Sequence, residues 1–296
     1  MDMGIDMLSN LHAEIRIIQT EVQGLMRNAG MRPKRLVLAW LACGYVLASA
    51  AAQPELASGR LVIGAEDDAA PWSYADGTGY VNDVVRAAFQ RSGWQVQYMV
   101  MPYARCKAMV LSGKLVACFS ASRTPDLASQ LLYPRQPVFN ASNVLIARAN
   151  ADLQGCNPAE WPRPVKVGRV ASYEYRANVM TLLGSPQVQV EDNNSEVSNM
   201  RKLEAGHIDA ALVTLDAVKR LEALAIQAHS KGSFMTLCDF GPEGAYIVFS
   251  RQHPGARHAL QAFESGYEGL LREGAIAEMQ RRWRGHPLDQ LKAKPH

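Results

Sequence analysis

The sequence predicts an α/β protein of two lobes joined by a two-segment hinge. Strand-length apolar runs alternate with helical patterns, which implies parallel sheets with helices on their faces. Two stretches, "LSGKLVACF" and "EAGHIDAAL", follow one plan: a helix end, a glycine suited to cap it (Gly113, Gly206), then a strand rich in small residues. Two joints, "QGCNPAEWPRP" (154–164) and "CDFGPEG" (238–244), mark a crossing into a second lobe and a crossing back.

The elements follow in order. "RLVIGA" reads as a strand and "EDDAAPWSYADGTG" as a turn-rich loop. Val81, Val84, Val85, Ala88 and Phe89 then mark one face of a helix. "WQVQYMVMP" alternates as a strand does, and residues 103–112 read as a helix stopped by Gly113. "LVACFSAS" is a buried strand; "SNVLIARA", "VKVGRV", "VQVED", "DAALVT" and "AYIVFS" are further strands. Two helices close the fold, at about 255–272 and 274–283, and the tail 286–296 reads as frayed. The first lobe is thus expected over 60–150 plus 243–285 and the second over 151–242. The cleft between lobes, at the strand C-termini, is where a ligand is expected.

Before the lobes lies "MRPKRLVLAWLACGYVLASAAAQ" (31–53), with a basic start, an apolar middle and small residues offering A-x-A cleavage sites. That is the layout of a secretory signal peptide, expected over 31–52. A membrane-spanning helix needs roughly 20 apolar residues, more than this run supplies. Residues 1–30 carry helical spacing at Leu8, Leu11, Ile15, Ile18 and Val22 but are too short for a domain; translation from Met31 is the expectation. Cleavage leaves about 240 residues, enough for two modest lobes.

The chain of 296 residues is 48% hydrophobic with a formal net charge of +3, which fits a globular protein. No long basic stripe argues for nucleic acid. Of the five cysteines, Cys43 lies in the leader; Cys106, Cys118, Cys156 and Cys238 remain. An exported chain permits disulfides, and we favour Cys156 with Cys238, leaving Cys106 with Cys118; free buried cysteines are the competing reading. No cofactor or metal is expected: there is no C-x-x-C pair, P-loop, H-E-x-x-H or G-x-S-x-G.

The pieces "LVIGAEDDAAPWSY", "GYVNDVVRAAF", "MPYARCKAMVLSGKL", "SASRTPDLAS", "VKVGRVASYEY", "LEAGHIDAALV" and "REGAIAEMQRRWRG" together resemble bacterial extracellular solute-binding proteins of family 3. The resemblance covers about 60–285. It implies a type II periplasmic-binding-protein fold that closes on a small solute and delivers it to the membrane permease of an ABC importer. It also implies a periplasmic monomer that is not an enzyme. Two other readings share the fold: a ligand-sensing partner of a membrane receptor, and a periplasmic dehydratase acting on prephenate-like substrates. Glu66 and Glu174 are the only acids to nominate for the last.

The resemblance also places site residues. Glu66, Trp72 and Tyr74 fall in the loop after the first strand, which supplies an acid and an aromatic; a core tryptophan and a solvated acid are the competing roles. Tyr103 and Arg105 fall at a cleft-side aromatic and arginine. Ser120 and Ser122 match the carboxylate-binding segment, but its arginine position is Leu127. Arg123 is the substitute that could fork onto a carboxylate. Ser172, Tyr173 and Tyr175 match a helix N-terminus that meets an anionic group. The amine-binding aspartate position is Thr214; Asp216, two residues on, is expected to cap a helix. Both anchors of an α-amino acid are therefore altered. The expected ligand is a small polar solute, amino-acid-like or a carboxylate, and Trp72→Ala and Arg123→Ala are each expected to weaken its binding while leaving the fold intact.

Overall fold

The computed structural model describes residues 59–285. The expected extension (1–30), signal peptide (31–52) and tail (286–296) lie outside the described residues.

A nine-stranded sheet organises the fold. In the first lobe, β1 (Arg60–Glu66) has β4 (Gln95–Met101) on one side and β5 (Ala117–Ser122) on the other, both parallel. In the second, β8 (Val165–Val170) lies parallel between β9 (Val188–Asn193) and β10 (Ala210–Leu215). Each lobe has the spatial order second–first–third, so the echo between "LSGKLVACF" and "EAGHIDAAL" is an echo of topology. Gly113 and Gly206 stop their helices with φ of 73° and 75°, a conformation that glycine enters without steric cost.

Two long antiparallel strands join the trios: β7 (Phe139–Arg148) and β11 (Phe234–Ser250). β11 pairs with β5 at one end, while β7 pairs with β10 at its own. Phe139 and Ala141 belong to a core with β1, whereas Val144 and Ile146 pack on one face of the second lobe and Leu145 and Ala147 on the other. That alternation is the two-residue period of a strand buried on both faces. A small antiparallel pair, β2 (Asp68–Ala69) and β3 (Ser73–Tyr74), follows β1. β6 (Leu131–Leu132) pairs with the end of β11.

Helices cover both faces. α1 (Tyr80–Arg91) buries Val81, Val84, Val85, Ala88 and Phe89. It packs on α7 (Ala256–Arg272), where a Cβ on Gly266 would lie 1.8 Å from the Ala88 carbonyl oxygen. α8 (Ala275–Arg284) follows α7. α2 (Tyr103–Leu111) lies on the opposite face of the first sheet, and α3 (Pro125–Gln130) is capped by Thr124, whose hydroxyl accepts from Leu127 N–H. In the second lobe, α4 (Ala177–Leu183) flanks one face and α5 (Glu196–Glu204) and α6 (Leu221–Gln227) the other.

Both cysteine pairs form. Cys106 on α2 bonds Cys118 on β5, with Cα atoms 6.1 Å apart. Cys156 bonds Cys238 on β11, with Cα atoms 5.0 Å apart. The helix and strand cysteines meet because α2 lies directly over β5.

Candidate functional site

A cavity opens where the parallel strands of both lobes end. About 50 Å³ of it is open to the centres of water-sized spheres. Glu66 ends β1, Ser120 and Ser122 end β5, Trp72 comes from the β2–β3 turn and Tyr103 starts α2. The second lobe contributes Tyr173 and Glu174, which follow β8, and Thr214 near the end of β10. The hinge strands contribute Phe139, Ala141 and Asn143 from β7 and Glu243, Gly244 and Ala245 from β11.

Glu66 is 6% exposed. Its Oε1 accepts the Tyr173 hydroxyl at 2.9 Å, and its backbone carbonyl accepts from Ser73 Oγ at 2.6 Å. Burial pushes its carboxyl up to about 7; the Tyr173 hydrogen bond and the Lys219 charge pull against that, and Glu196 and Asp68 add to it. A carboxyl poised there can donate when protonated and attract a cation when ionised.

Tyr103 donates to Glu174 Oε2 at 2.7 Å, and Lys107 donates to Glu174 Oε1 at 2.5 Å and to the Ser172 carbonyl at 2.8 Å. Tyr103 and Tyr173 meet edge to face, ring centroids 5.9 Å apart. Burial first, and then the nearby glutamates, raise both phenols well above their ordinary range, so both remain donors. Glu243 is also raised by burial, against the pull of Arg176.

Ser120 has φ of 73° on a strand, and its buried Oγ meets no hydrogen-bond partner. A non-glycine residue in that region costs on the order of 1 kcal/mol, and such residues cluster at ligand-contacting sites. Asn143 Nδ2 donates to Thr214 Oγ1 at 3.2 Å, and Thr214 N–H donates to Glu196 Oε1 at 2.7 Å. Behind this wall Lys219 pairs with Glu196, both buried, and its Nζ stands 4.5 Å from the centre of the Trp72 ring.

The structure therefore brings Glu66, Trp72, Tyr103, Ser120, Ser122, Tyr173 and Thr214 together and leaves five expected residues outside the cavity. Tyr74 packs near Trp283, centroids 6.3 Å apart. Arg105 is exposed on α2. Arg123 is exposed too, in the turn between β5 and α3, with its guanidinium 5.5 Å from the Tyr133 ring centre. Ser172 offers its carbonyl to Lys107, and the Tyr175 hydroxyl accepts from Val170 N–H at 3.0 Å. In the "ASYEY" loop the Ser172 carbonyl and the Tyr175 hydroxyl are thus engaged within the protein, while Tyr173 faces the cavity. Asp216 accepts from the N–H groups of Val218 and Lys219, capping a turn and not the helix expected there.

Residues 61–286 match bacterial extracellular solute-binding proteins, family 3. The chain belongs to that family. Family 3 members bind small molecules in the periplasm or outside the cell, working with ABC transporters or sensor kinases. Among solved structures, this family 3 protein is similar to the arginine-, lysine-, histidine-binding protein ArtJ from Geobacillus stearothermophilus. They share 16% identity over 79% of this chain and 99% of that one, with a TM-score of 0.63. A histidine kinase sensor domain similar to periplasmic binding proteins gives 17%, 76%, 96% and 0.63. An ancestral amino acid-binding protein, a precursor of cyclohexadienyl dehydratase, gives 14%, 77%, 96% and 0.62. At these identities the likeness is one of fold. No curated protein matches the sequence.

Proposed function

We propose that this protein captures a small polar solute between its lobes, outside the cytoplasm, and presents it as a monomer to the permease of an ABC importer. Export through the 31–52 signal peptide belongs to the same reading. The observation that carries it is the cavity walled by both lobes and both hinge strands, across which Tyr173 reaches Glu66 and Tyr103 reaches Glu174. Closure of this kind is a population shift towards the state that the solute touches from both sides. Glu66, Trp72, Tyr103, Ser120, Ser122, Tyr173 and Thr214 are the proposed contacts.

A thermal-shift screen against amino acids, amines, carboxylates and aromatic acids tests this. A true solute at 100 times its Kd adds about 2.7 kcal/mol of stability. A screen in which no small polar solute moves the midpoint overturns the proposal.

One observation favours a second reading. A buried carboxyl near 7, as at Glu66, suits a general acid at neutral pH, which a dehydratase needs. Turnover of prephenate by the protein, lost in Glu66→Gln, would establish that reading instead.

A further inference from the structure

The charge of the cavity wall is one-sided. Among the described residues, its ionisable side chains other than phenols are the carboxyls of Glu66, Glu174 and Glu243, with no lysine, arginine or histidine in the lining. The nearest cations stand behind those carboxyls and outside the cavity. Lys107 holds Glu174 from outside, and Lys219 is buried against Glu196. Arg176 donates to the Phe240, Gly241 and Pro242 carbonyls of β11 and pairs with Glu243 at 3.7 Å from outside the wall. Arg123 stands over Tyr133 and lines a neighbouring cavity that shares Glu174 and Glu243 with this one. A solute carboxylate entering here would meet three carboxyls and no guanidinium fork. An uncompensated buried charge is among the most costly arrangements in a protein. A cation would meet acids on three sides and aromatic walls at Trp72 and Phe139, the kind of surface that attracts organic cations.

We propose that the solute is a compact organic cation, an amine or guanidine without a carboxylate, seated among Glu66, Glu174 and Glu243. The unpartnered Ser120 hydroxyl supplies an acceptor to the same group. This rests on the solute-binding reading and narrows it.

Binding is then linked to pH. Tyr103, Tyr173, Lys219, Glu196 and Asp68 are the ionisable groups that act on or are acted on by Glu66. An arriving cation favours ionised Glu66, so a proton leaves as the solute enters.

The test uses the full chain and a matched series: propylamine, methylguanidine, N-methylurea, propanoate and alanine, followed by titration calorimetry. The proposal expects propylamine or methylguanidine to bind at least tenfold more tightly than the neutral and anionic partners. It expects that affinity to fall about tenfold or more in Glu243→Gln and in Glu174→Gln. Affinity should rise about tenfold from pH 6 to pH 8 and lose that dependence in Glu66→Gln. Preferential binding of propanoate, alanine or N-methylurea overturns the cation assignment and leaves the solute-binding reading standing. Cation binding that ignores all three glutamine variants overturns the site. Failure of these probes and of every solute in the wider screen overturns both.

Discussion

Trp72 serves two purposes. It lines the cavity, but it is only 4% exposed and packs on Phe139 with centroids 4.7 Å apart, in the same core as β1 and α1. The core and the binding role, competing in the sequence, coexist in one side chain. Trp72→Ala is therefore expected to cost about 3–5 kcal/mol of stability as well as affinity, which urea denaturation will read. The sequence-based expectation of an intact fold for this variant is revised accordingly. Arg123→Ala is expected to leave stability within about 0.5 kcal/mol and affinity unchanged, because its guanidinium is exposed and outside the cavity. A large affinity loss in Arg123→Ala would mean that the solute reaches past the cavity to the turn before α3. Arg123 sits in the turn between the end of β5 at Ser122 and the start of α3 at Pro125, exposed and beside the cavity instead of in its wall. Glu66 and Ser120, which the family resemblance placed, line the cavity at the C-terminal ends of β1 and β5. The buried Lys219–Glu196 pair was not legible in the sequence: the two lie 23 positions apart, and no spacing rule joins them.

At the scale of elements, the regular strands and helices were readable because each keeps a period. The hinge was less so. β11 carries Gly241, Pro242 and Gly244, residues that read as a crossing loop, yet the strand continues through them. It does so by shifting register between Asp239 and Pro242, with Gly241 at φ of 83° taking the irregular position. Phe139 and Glu243 escaped the sequence reading for this reason: they line the cavity from parts of the hinge strands that read as loop. The disulfides brace those elements. Cys156–Cys238 closes a separation of 82 residues and anchors β11, whereas Cys106–Cys118 closes only 12. Loop-closure entropy assigns about 4.5 kcal/mol to the longer and about 3 kcal/mol to the shorter. Calorimetry of the two double cysteine-to-serine variants should show the larger fall in Tm for the Cys156/Cys238 pair. Equal falls, or a larger one for Cys106/Cys118, would show that local packing outweighs chain entropy here.

At the scale of the molecule, one sheet runs through both lobes, so closure and the chemistry of the cleft are coupled. Glu66 reports that coupling because Tyr173, its hydrogen-bond partner, comes from the other lobe. In the unfolded chain its carboxyl titrates near 4.5; in the closed fold it titrates at about 7. Between those values the folded state holds a proton that the unfolded state has released. Stability from this group is thus complete below about 4.5, falls as pH rises and levels off above about 7. At roughly 1.36 kcal/mol per unit, the fall amounts to about 3 kcal/mol. Asp209, Glu191 and Asp192 are shifted the other way by their cationic partners and gain stability as pH rises, so the whole-protein profile mixes both signs. The difference between the native chain and Glu66→Gln isolates the one group. Measured by urea unfolding, glutamine should be relatively more stabilising at pH 8 than at pH 5, by about 2–3 kcal/mol in the absence of solute. A saturating cation should shrink that difference, since it stabilises the ionised carboxyl of the native chain and gives glutamine no equivalent gain. A difference that is flat with pH would mean that Glu66 is ionised in the closed cleft already, and that entry of the solute releases no proton.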